Sequence, residues 1–384
     1  MRLHEEIGRI GLKLVFHSKF KFNFTYDNFD KKRKEPYFLV CNHASLHDPL
    51  YVGMNLKYYP YPVASNLLYT KFWMRFALTK VVTSIPKRKG QSDIQTIRSI
   101  LKAFKDDKRG IMIFPEGNSS YFGEETPTDF TATAKIIKKV NEDLVLAKIN
   151  GGFFAAPRWG KTRKKGAFNI HYSTLIKKAD LSNLSIEEIS KILEENIKFN
   201  DYEWNKIHNI KYKSNEKAVG LDNYLYVCPK CGSYQTIKTT KNDISCTSCG
   251  KLATINEYHF LEGLDFDNLI AWDKLQKARI PNILTNDVLS FGDFFIVDFK
   301  NNKQIKLGKA KTIINKEKLI IKTENNKYVF LIENISGTVL TQKRNLSFDY
   351  ENETYLININ DAKLYLDILN YLKEGEVLWV IGML

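Results

Sequence analysis

The sequence predicts a mixed α/β protein in three parts, and three observations support this prediction. Strand-like and helix-like segments alternate through residues 1–220, which favours helices packed on a sheet. Four cysteines fall within residues 224–257, and short β-rich runs with Asn- and Gly-containing turns extend from about residue 282 to 355. A chain of 384 residues is long enough for two or three domains. We therefore expect domains at 1–220, 221–258 and 259–384.

Four short apolar segments in the first part are typical of strands, and two amphipathic segments are typical of helices. The strands are predicted at residues 37–41, 61–64, 110–114 and about 167–174, although Pro62 weakens the second. Each helix follows a capping box, in which a serine and a Gln or Glu three residues later bond to each other's backbone N–H groups. The two boxes are Ser92 with Gln95 and Ser185 with Glu188.

The last part of the chain has a different pattern. Runs at 294–297, 319–322 and 329–332 are rich in β-branched and aromatic residues, as strands are. A helical pattern with four leucines extends from Ala362 to Leu372. Several strands followed by one helix predict a small β-rich module with a closing C-terminal helix.

The positive charge of the chain is confined to its first part. The formal net charge is +15, and residues 1–220 hold 38 basic and 23 acidic residues, whereas residues 221–384 hold 20 of each. A field of this kind attracts anionic lipid, a phosphorylated substrate or nucleic acid, and it does not determine the fold. The hydrophobic fraction of 43% excludes overall disorder.

Hydropathy and cysteine usage favour a cytoplasmic protein. No stretch reaches the ~18 consecutive apolar residues of a membrane-spanning helix, and the first residues lack the pattern of a secretory signal. Cys41 stands alone in an apolar run and is predicted to be a buried core residue. The other four cysteines form two CxxC pairs, unlike a secreted disulfide framework.

A candidate base follows the first predicted strand. His43 lies just past the strand end, where open α/β sheets bind ligands, and Asp48 lies five residues on, at a predicted helix start. An aspartate that bonds to one imidazole nitrogen fixes the tautomer and makes the other nitrogen a base for a hydroxyl. Taken alone, a histidine and an aspartate at this spacing favour a capping or solvated role over a catalytic one, and His47 is a second candidate base.

Two further turns accompany this pair. Phe114-Pro115-Glu116-Gly117-Asn118-Ser119-Ser120 follows another buried strand, and the basic turn Ile85-Pro86-Lys87-Arg88-Lys89-Gly90 lies between the two. Three motifs of the glycerolipid acyltransferase family resemble these segments in the same order: Asn42-His43-x4-Asp48, the basic turn and Phe-Pro-Glu-Gly. The segment Ala155-Ala156-Pro157-Arg158-Trp159 resembles its fourth motif, so the likeness covers about residues 35–160.

The resemblance implies a family-like α/β sheet with flanking helices and transfer of an acyl chain to a glycerolipid hydroxyl. The donor would be acyl-CoA or acyl-carrier protein, the acceptor a lysolipid such as 1-acylglycerol-3-phosphate, and no catalytic cofactor is implied. His43 would be the general base and Asp48 its orienting group. Glu116, Gly117, Asn118 and Ser119 would belong to the substrate site, and amides near Gly117 are candidate oxyanion donors.

One departure from the family pattern concerns acceptor recognition. The family has an arginine for the acceptor phosphate at the position of Ser119, and a serine cannot make that charged, two-pronged contact. The candidate replacements are Lys87, Arg88, Lys89 and Arg158. Two alternatives stay open: another lysolipid or polar acceptor, or a non-catalytic basic protein that binds lipid or nucleic acid. Retention of His43, Asp48 and Glu116 together argues against the non-catalytic alternative.

The cysteine pairs form the pattern CxxC-x14-CxxC. Cys228, Cys231, Cys246 and Cys249 would supply four thiolates from two tight turns, each with a glycine just beyond its second cysteine. The pattern resembles a zinc ribbon, and with no position left for water the Zn²⁺ would be structural. Nucleic-acid binding is disfavoured because this half of the chain is neutral.

A lipid substrate requires contact with a membrane surface. Residues 57–76 mix seven aromatic with three basic residues, as segments lying at an anionic lipid interface do. The same composition would fit aromatics in the core with lysines in water, and the sequence does not decide between the two. For the similar segment 12–29, the core interpretation is favoured. The expected location is cytoplasmic and peripheral, on the inner face of the membrane.

Overall fold

The structure is a computed structural model that describes residues 11, 20–87, 94–162 and 164–381, with side chains up to residue 373. The chain folds into two compact units. Of the described residues, the first unit contains those up to 213 except 159–162, and the second contains 159–162 and those from Ser214 onward. The finer division into three domains, with boundaries at 220 and 258, stays a prediction.

A seven-stranded sheet forms the centre of the first unit, with its strands in the order β1-β7-β6-β2-β5-β3-β4. The five neighbouring strands from β6 to β4 are parallel, β7 is antiparallel to β6, and β1 is parallel to β7. The strands are β1 (Lys21–Asp27), β2 (Phe38–Cys41), β3 (Tyr61–Ser65), β4 (Ile85–Lys87), β5 (Ile111–Ile113), β6 (Leu144–Asn150) and β7 (Ala167–Ile176).

Because five adjacent strands are parallel, their carboxyl ends lie at one edge of the sheet. This carboxyl edge carries the segments that begin at Asn42 after β2, Asn66 after β3, Phe114 after β5 and Gly151 after β6. Edges of this kind are where open α/β sheets bind ligands. The topology thus brings the segments of His43 and Glu116 to the same place.

The helices of the first unit cover both faces of the sheet. They are α1 (Asp48–Gly53), α2 (Phe72–Phe76), α3 (Ile94–Lys105), α4 (Thr131–Val140), α5 (Gly152–Ala155), α6 (Lys178–Leu181), α7 (Ile186–Ile197) and α8 (Asp201–His208). A 3₁₀ turn, Asn66–Thr70, precedes α2, and a π-helical turn, Ala77–Val81, follows it. On one face, apolar residues of α3, α4 and α7 pack with those of β2, β5 and β6 into one buried cluster. On the other, Tyr51 of α1 packs against Phe168 of β7 with ring centroids 4.9 Å apart.

The predicted elements of the first unit are confirmed where the structure describes them. The capping box at α7 is present, since Ser185 Oγ accepts from Glu188 N and Glu188 Oε2 accepts from Ser185 N. Ser92 of the other predicted box lies outside the described residues. Pro62 is tolerated inside β3 because the strand pairs with β5 through Tyr61 and Pro62 and with β4 only from Val63 onward.

The second unit contains two antiparallel sheets. One has four strands in the order β11-β10-β9-β8, with Cys246 at the end of β9, and the other has seven strands in the order β15-β14-β13-β12-β18-β17-β16. The strands are β8 (Ile237–Thr240), β9 (Asp243–Cys246), β10 (Gly250–Ile255), β11 (Leu261–Glu262), β12 (Val288–Asp298), β13 (Lys303–Ile314), β14 (Lys318–Lys322), β15 (Lys327–Leu331), β16 (Ser336–Thr341), β17 (Asn345–Tyr350) and β18 (Glu353–Ile359).

Helices of the second unit connect and close these sheets. They are α9 (Leu269–Ala278), α10 (Ile280–Ile283) and α11 (Ala362–Ile381), with 3₁₀ turns at Leu221–Asn223 and Ile332–Asn334. The β-rich part closed by a helix is therefore confirmed, and α11 extends beyond the predicted end at Leu372. Among the residues that the structure describes, we find no helix with the length and hydropathy needed to cross a bilayer.

Candidate active site and metal centre

His43 and Asp48 form a hydrogen-bonded pair at the carboxyl edge. His43 Nδ1 lies 3.0 Å from Asp48 Oδ2, and the Asp48 side chain is fully buried whereas that of His43 is 14% exposed. Asp48 also accepts from Ser45 N at 2.8 Å and Ser45 Oγ at 2.7 Å. A carboxylate fixed by two further donors holds the imidazole with Nδ1 as the protonated nitrogen, which leaves Nε2 as the basic one.

The strand end before His43 is fixed by the side chain of Asn42. Its amide donates from Nδ2 to Ile149 O at 2.8 Å and accepts at Oδ1 from Ile149 N at 2.7 Å. Asn42 is fully buried, so this paired contact joins the end of β2 to β6 in a water-free environment. The arrangement determines where the chain turns out of the sheet and presents His43.

Glu116 connects the loop of the candidate base, His43, to the loop of Thr126. Its Oε1 accepts from His43 N at 2.7 Å and its Oε2 from Thr126 N at 2.8 Å. Burial raises the pKa of Glu116 to about 8, while the two backbone N–H bonds act in the opposite direction. In addition, Ser120 N donates to His43 O at 2.7 Å, so the turn that contains Glu116 bonds to both the N–H and the C=O of His43.

Two other candidates from this segment are Cys41 and His47. Cys41 is fully buried, as expected, and burial raises the pKa of its thiol well above the usual value. His47 lies at the N-terminus of α1, where its carbonyl accepts from Leu50 N at 2.9 Å and Tyr51 N at 3.2 Å. The residue that meets Asp48 five positions away is therefore His43, as the spacing predicted.

The turn after β5 is shaped by glycine. Gly117 has a φ of +67°, in the left-handed region, and its N–H donates to Phe114 O at 3.0 Å. This N–H closes the turn, and a role for backbone amides around Gly117 as oxyanion donors stays a prediction. Asn118, the next residue, is half-buried at the carboxyl edge.

Arg158 contacts the loop position where the family motif has an arginine. Its Nη1 donates to Ser119 O at 3.1 Å, and its guanidinium lies 4.6 Å from the centroid of the Tyr121 ring. Arg158 is 2% exposed and Ser119 1%. Within the described residues, Ser119 Oγ is buried and has no hydrogen-bond partner.

The remaining cationic candidates are only partly within the described structure. Lys87 is the last residue of β4 and pairs with Ser65 at the end of β3, so it also reaches the carboxyl edge. Arg88 and Lys89 lie outside the described residues. Binding of substrate by Lys87, Arg88, Lys89, Arg158 and the Glu116–Ser119 turn stays a prediction.

Sequence reasoning missed three side chains close to this site. Ser45 holds Asp48, as described above, and Asp201 accepts from Gly151 N at 2.9 Å and Phe153 N at 3.0 Å, which anchors α5. Burial raises the pKa of Asp201 to about 7. Burial also lowers the pKa of Lys148 to about 8, although Glu125, Glu116 and Asp201 favour its charged form. Only Ser45 is close to the motif in sequence; the others come from distant segments.

The four cysteines meet in the second unit. Their Sγ atoms lie within 4.8 Å of one another, with Cys228 to Cys249 and Cys231 to Cys246 both at 3.9 Å. Four thiolates at the usual Zn–S length of about 2.3 Å would lie about 3.8 Å apart at the corners of a tetrahedron. Gly232 and Gly250, with φ of +74° and +76°, allow the two tight turns. The donor set therefore fits a tetrahedral metal ion.

Part of the chain is similar to known proteins. A family model described as Acyltransferase matches residues 23–176. The 1-acyl-sn-glycerol-3-phosphate acyltransferase of Saccharomyces cerevisiae is 24% identical over 167 residues, which cover 42% of this chain and 53% of that protein. The chain thus spans about half the length of this curated relative.

One solved structure is also similar. The crystal structure of the 1-acyl-sn-glycerophosphate (LPA) acyltransferase PlsC from Thermotoga maritima aligns at 16% identity and a TM-score of 0.42, with 55% of this chain and 80% of that chain covered. The family match includes His43, Asp48 and the Glu116 turn, which the sheet brings to one edge. Residues 23–176 therefore form a domain of the glycerolipid acyltransferase family.

Proposed function

We propose that the chain is an O-acyltransferase that moves a fatty acyl chain from an acyl thioester to a glycerolipid hydroxyl. The observation that carries this proposal is the His43–Asp48 pair, held by Ser45 and Asn42 at the carboxyl edge of a sheet. The donor is acyl-CoA or acyl-carrier protein. The acceptor we favour is 1-acylglycerol-3-phosphate, in keeping with the name of the yeast relative.

In the proposed reaction, His43 acts as the general base. Nε2 takes the proton of the acceptor hydroxyl as its oxygen attacks the thioester carbonyl carbon, and the new C–O bond gives a tetrahedral oxyanion. Collapse of this species breaks the C–S bond, and the proton passes from Nε2 to the departing thiolate. Asp48 stabilises the imidazolium that forms between these two steps, and no covalent enzyme intermediate is required.

Glu116 is assigned a positioning role. Both of its carboxylate oxygens accept backbone N–H groups, one from His43 itself and one from Thr126. It therefore fixes the main chain that carries the base, and direct contact of Glu116 with substrate is not needed for this effect.

Arg158 is the described cation that best replaces the arginine missing at Ser119. It is bonded to the backbone of Ser119, so its guanidinium contacts the loop that carries the motif arginine elsewhere in the family. A guanidinium makes a two-pronged contact with phosphate that a lysine cannot reproduce. Lys87, at the end of β4, would add a second positive charge at the same edge. Together they support a phosphate-bearing acceptor over a neutral one.

A structural Zn²⁺ is proposed for the second unit. The four sulfurs have the spacing of a closed tetrahedral site, and with all positions occupied by protein the ion would hold the two cysteine turns together. It would have no part in acyl transfer. The chain as a whole would be peripheral on an anionic membrane surface that contains its lipid substrate.

The test is an activity panel with the full-length chain. Acyl-CoA and acyl-carrier protein would each be offered with lysophosphatidic acid, other lysophospholipids, glycerol 3-phosphate and monoacylglycerol. We expect acylation of lysophosphatidic acid by the wild type and none by His43→Ala. Acylation of a different acceptor would correct the substrate and keep the reaction. Absence of any acylated product would favour the non-catalytic binding protein, and a His43→Ala variant as active as wild type would refute the assignment of His43 as the base.

A further inference from the structure

The aromatic residues of α2 point into solvent. Phe72, Trp73 and Phe76 are 77%, 65% and 58% exposed, and neither α2 nor the π-helical turn after it contains a buried residue. Tyr61 and Tyr69, a few residues earlier, are only 8% and 6% exposed. Three large exposed rings on two helical turns form an apolar patch of the kind that marks an interaction site.

The same segment is strongly basic. Between Pro49 and Ser92 the chain has seven lysines and arginines and no acidic residue. Lys71 immediately precedes α2 and Arg75 lies within it, with the Arg75 guanidinium 6.0 Å from the centre of the Phe72 ring. Lys80 extends the charge into the π-helical turn. Aromatic rings with cations among them and no carboxylates complement a surface whose outer layer is anionic and whose interior is apolar.

The location of the patch links it to the active site. The segment from Asn66 to Ser84 leaves the sheet at the end of β3 and returns at β4. It therefore departs from the carboxyl edge, where His43 follows β2 and Glu116 follows β5, the direct neighbour of β3. The segment that carries α2 therefore begins at the sheet edge where the proposed base lies.

We propose that Phe72, Trp73 and Phe76, with Lys71 and Arg75, form a docking surface for a bilayer that contains anionic lipid. The rings enter the interface between headgroups and acyl chains, and the two cations contact lipid phosphates. The docking itself follows from exposure and charge. The consequence for catalysis, that docking presents a membrane-borne acceptor to His43, rests on the proposed function.

Vesicle binding by the full-length chain tests the docking. Phosphatidylcholine vesicles with and without phosphatidylglycerol would be sedimented with wild type, with the triple variant Phe72→Ala, Trp73→Ala, Phe76→Ala, and with Lys71→Glu, Arg75→Glu. We expect both variants to bind anionic vesicles about tenfold more weakly than wild type. Wild type should prefer vesicles with phosphatidylglycerol. Because these side chains are exposed or half-exposed, the variants should fold normally, which thermal melting would verify.

Two control variants make the test specific. Ile207→Ala removes another exposed apolar side chain, 78% exposed, from α8 of the same unit. Phe291→Ala with Lys311→Glu removes a ring, 65% exposed, and the lysine paired with it on β12 and β13 of the second unit. Both controls should bind vesicles like wild type. Weaker vesicle binding by the Phe291 variant alone, or equal vesicle binding by the triple variant and wild type, would overturn the proposal. The same holds if the triple variant binds single-stranded oligonucleotides more weakly than wild type but binds vesicles equally well.

A spectroscopic and a kinetic readout separate docking from activity. Trp73 emission should shift to the blue with anionic vesicles, and this shift should vanish in Trp73→Phe. The triple variant should acylate acceptor in vesicles about tenfold more slowly, yet acylate a dispersed short-chain acceptor at the wild-type rate. Vesicle binding without acylation of any acceptor would leave the docking intact and refute the proposed function alone.

Discussion

The carboxylate of Glu116 accepts a hydrogen bond of 2.7 Å from the backbone N–H of His43, a residue 73 positions earlier. The second oxygen of Glu116 accepts Thr126 N, so one buried side chain ties the base to two loops. This contact explains why an acidic turn at the end of one strand belongs with a histidine at the end of the neighbouring strand. It also gives the site a pH dependence that can be measured.

Glu116→Gln should change how stability depends on pH. Burial raises the pKa of Glu116 from 4.5 to about 8, so folding favours its protonated form. Its contribution to the free energy of unfolding is fully present below pH 4.5 and is lost as the pH rises towards 8. Between pH 5 and 8, urea unfolding should therefore show wild type losing at least about 1 kcal/mol relative to the variant. Parallel curves would show that Glu116 is not protonated on folding.

Asp48→Asn should lower kcat by about 10³-fold, because the amide can present its N–H to Nδ1 and so favours the wrong tautomer. Steady-state kinetics with saturating acyl donor would measure it. The matched control is His47→Ala, since His47 caps α1 through its backbone carbonyl. This control should keep activity within a few-fold. A His47 variant as inactive as His43→Ala would mean that the base is misassigned.

Arg158→Lys should raise the KM for a phosphate-bearing acceptor more than it lowers kcat. Lysine keeps the charge but loses the planar fork that reaches Ser119 O and stacks on Tyr121. Initial rates with lysophosphatidic acid and with monoacylglycerol would separate the two effects. We expect a rise of about tenfold for the phosphorylated acceptor, equivalent to one charged hydrogen bond of about 1.4 kcal/mol, and little change for the neutral one. An equal rise for both acceptors would indicate that Arg158 only supports the loop.

Asn42→Ala should destabilise the first unit by about 2–4 kcal/mol. The substitution leaves the N–H and C=O of Ile149 without the partners that Asn42 provides in a fully buried environment. Urea denaturation followed by near-ultraviolet circular dichroism would measure the loss. Asn183→Ala, at an exposed turn, is the control and should change stability by less than about 0.5 kcal/mol. A loss below about 1 kcal/mol would contradict the proposed role of this pair of hydrogen bonds.

Cys246→Ser with Cys249→Ser should abolish metal binding. Wild type should contain about one Zn²⁺ per chain, because four thiolates complete one tetrahedral site. Metal analysis after dialysis against a weak chelator would measure the stoichiometry. Cys41→Ala removes the cysteine that lies outside the cluster and should leave the zinc content unchanged. Retention of one Zn²⁺ in the double variant would refute the four-cysteine site.

The amino-acid sequence by itself determined the local features of this protein. The cysteine pairs each occupy one tight turn, so their spacing alone predicted the cluster. His43 and Asp48 are five residues apart, and the resemblance of the surrounding motifs to a family was needed to select this pair. The alternation of strands and helices likewise predicted the sheet. These features depend on residues close together in the sequence, so they can be recognised from a sequence pattern.

Only the tertiary structure decided which distant segments meet and which faces they leave exposed. The order of β2 beside β5 brings Glu116 to His43, and the return of the chain after α5 brings Arg158 to Ser119. The aromatic segment 57–76 had two interpretations, and the structure divides it, with Tyr61 and Tyr69 buried and Phe72 to Phe76 exposed. Burial depends on what covers a side chain, and the covering elements come from elsewhere in the chain.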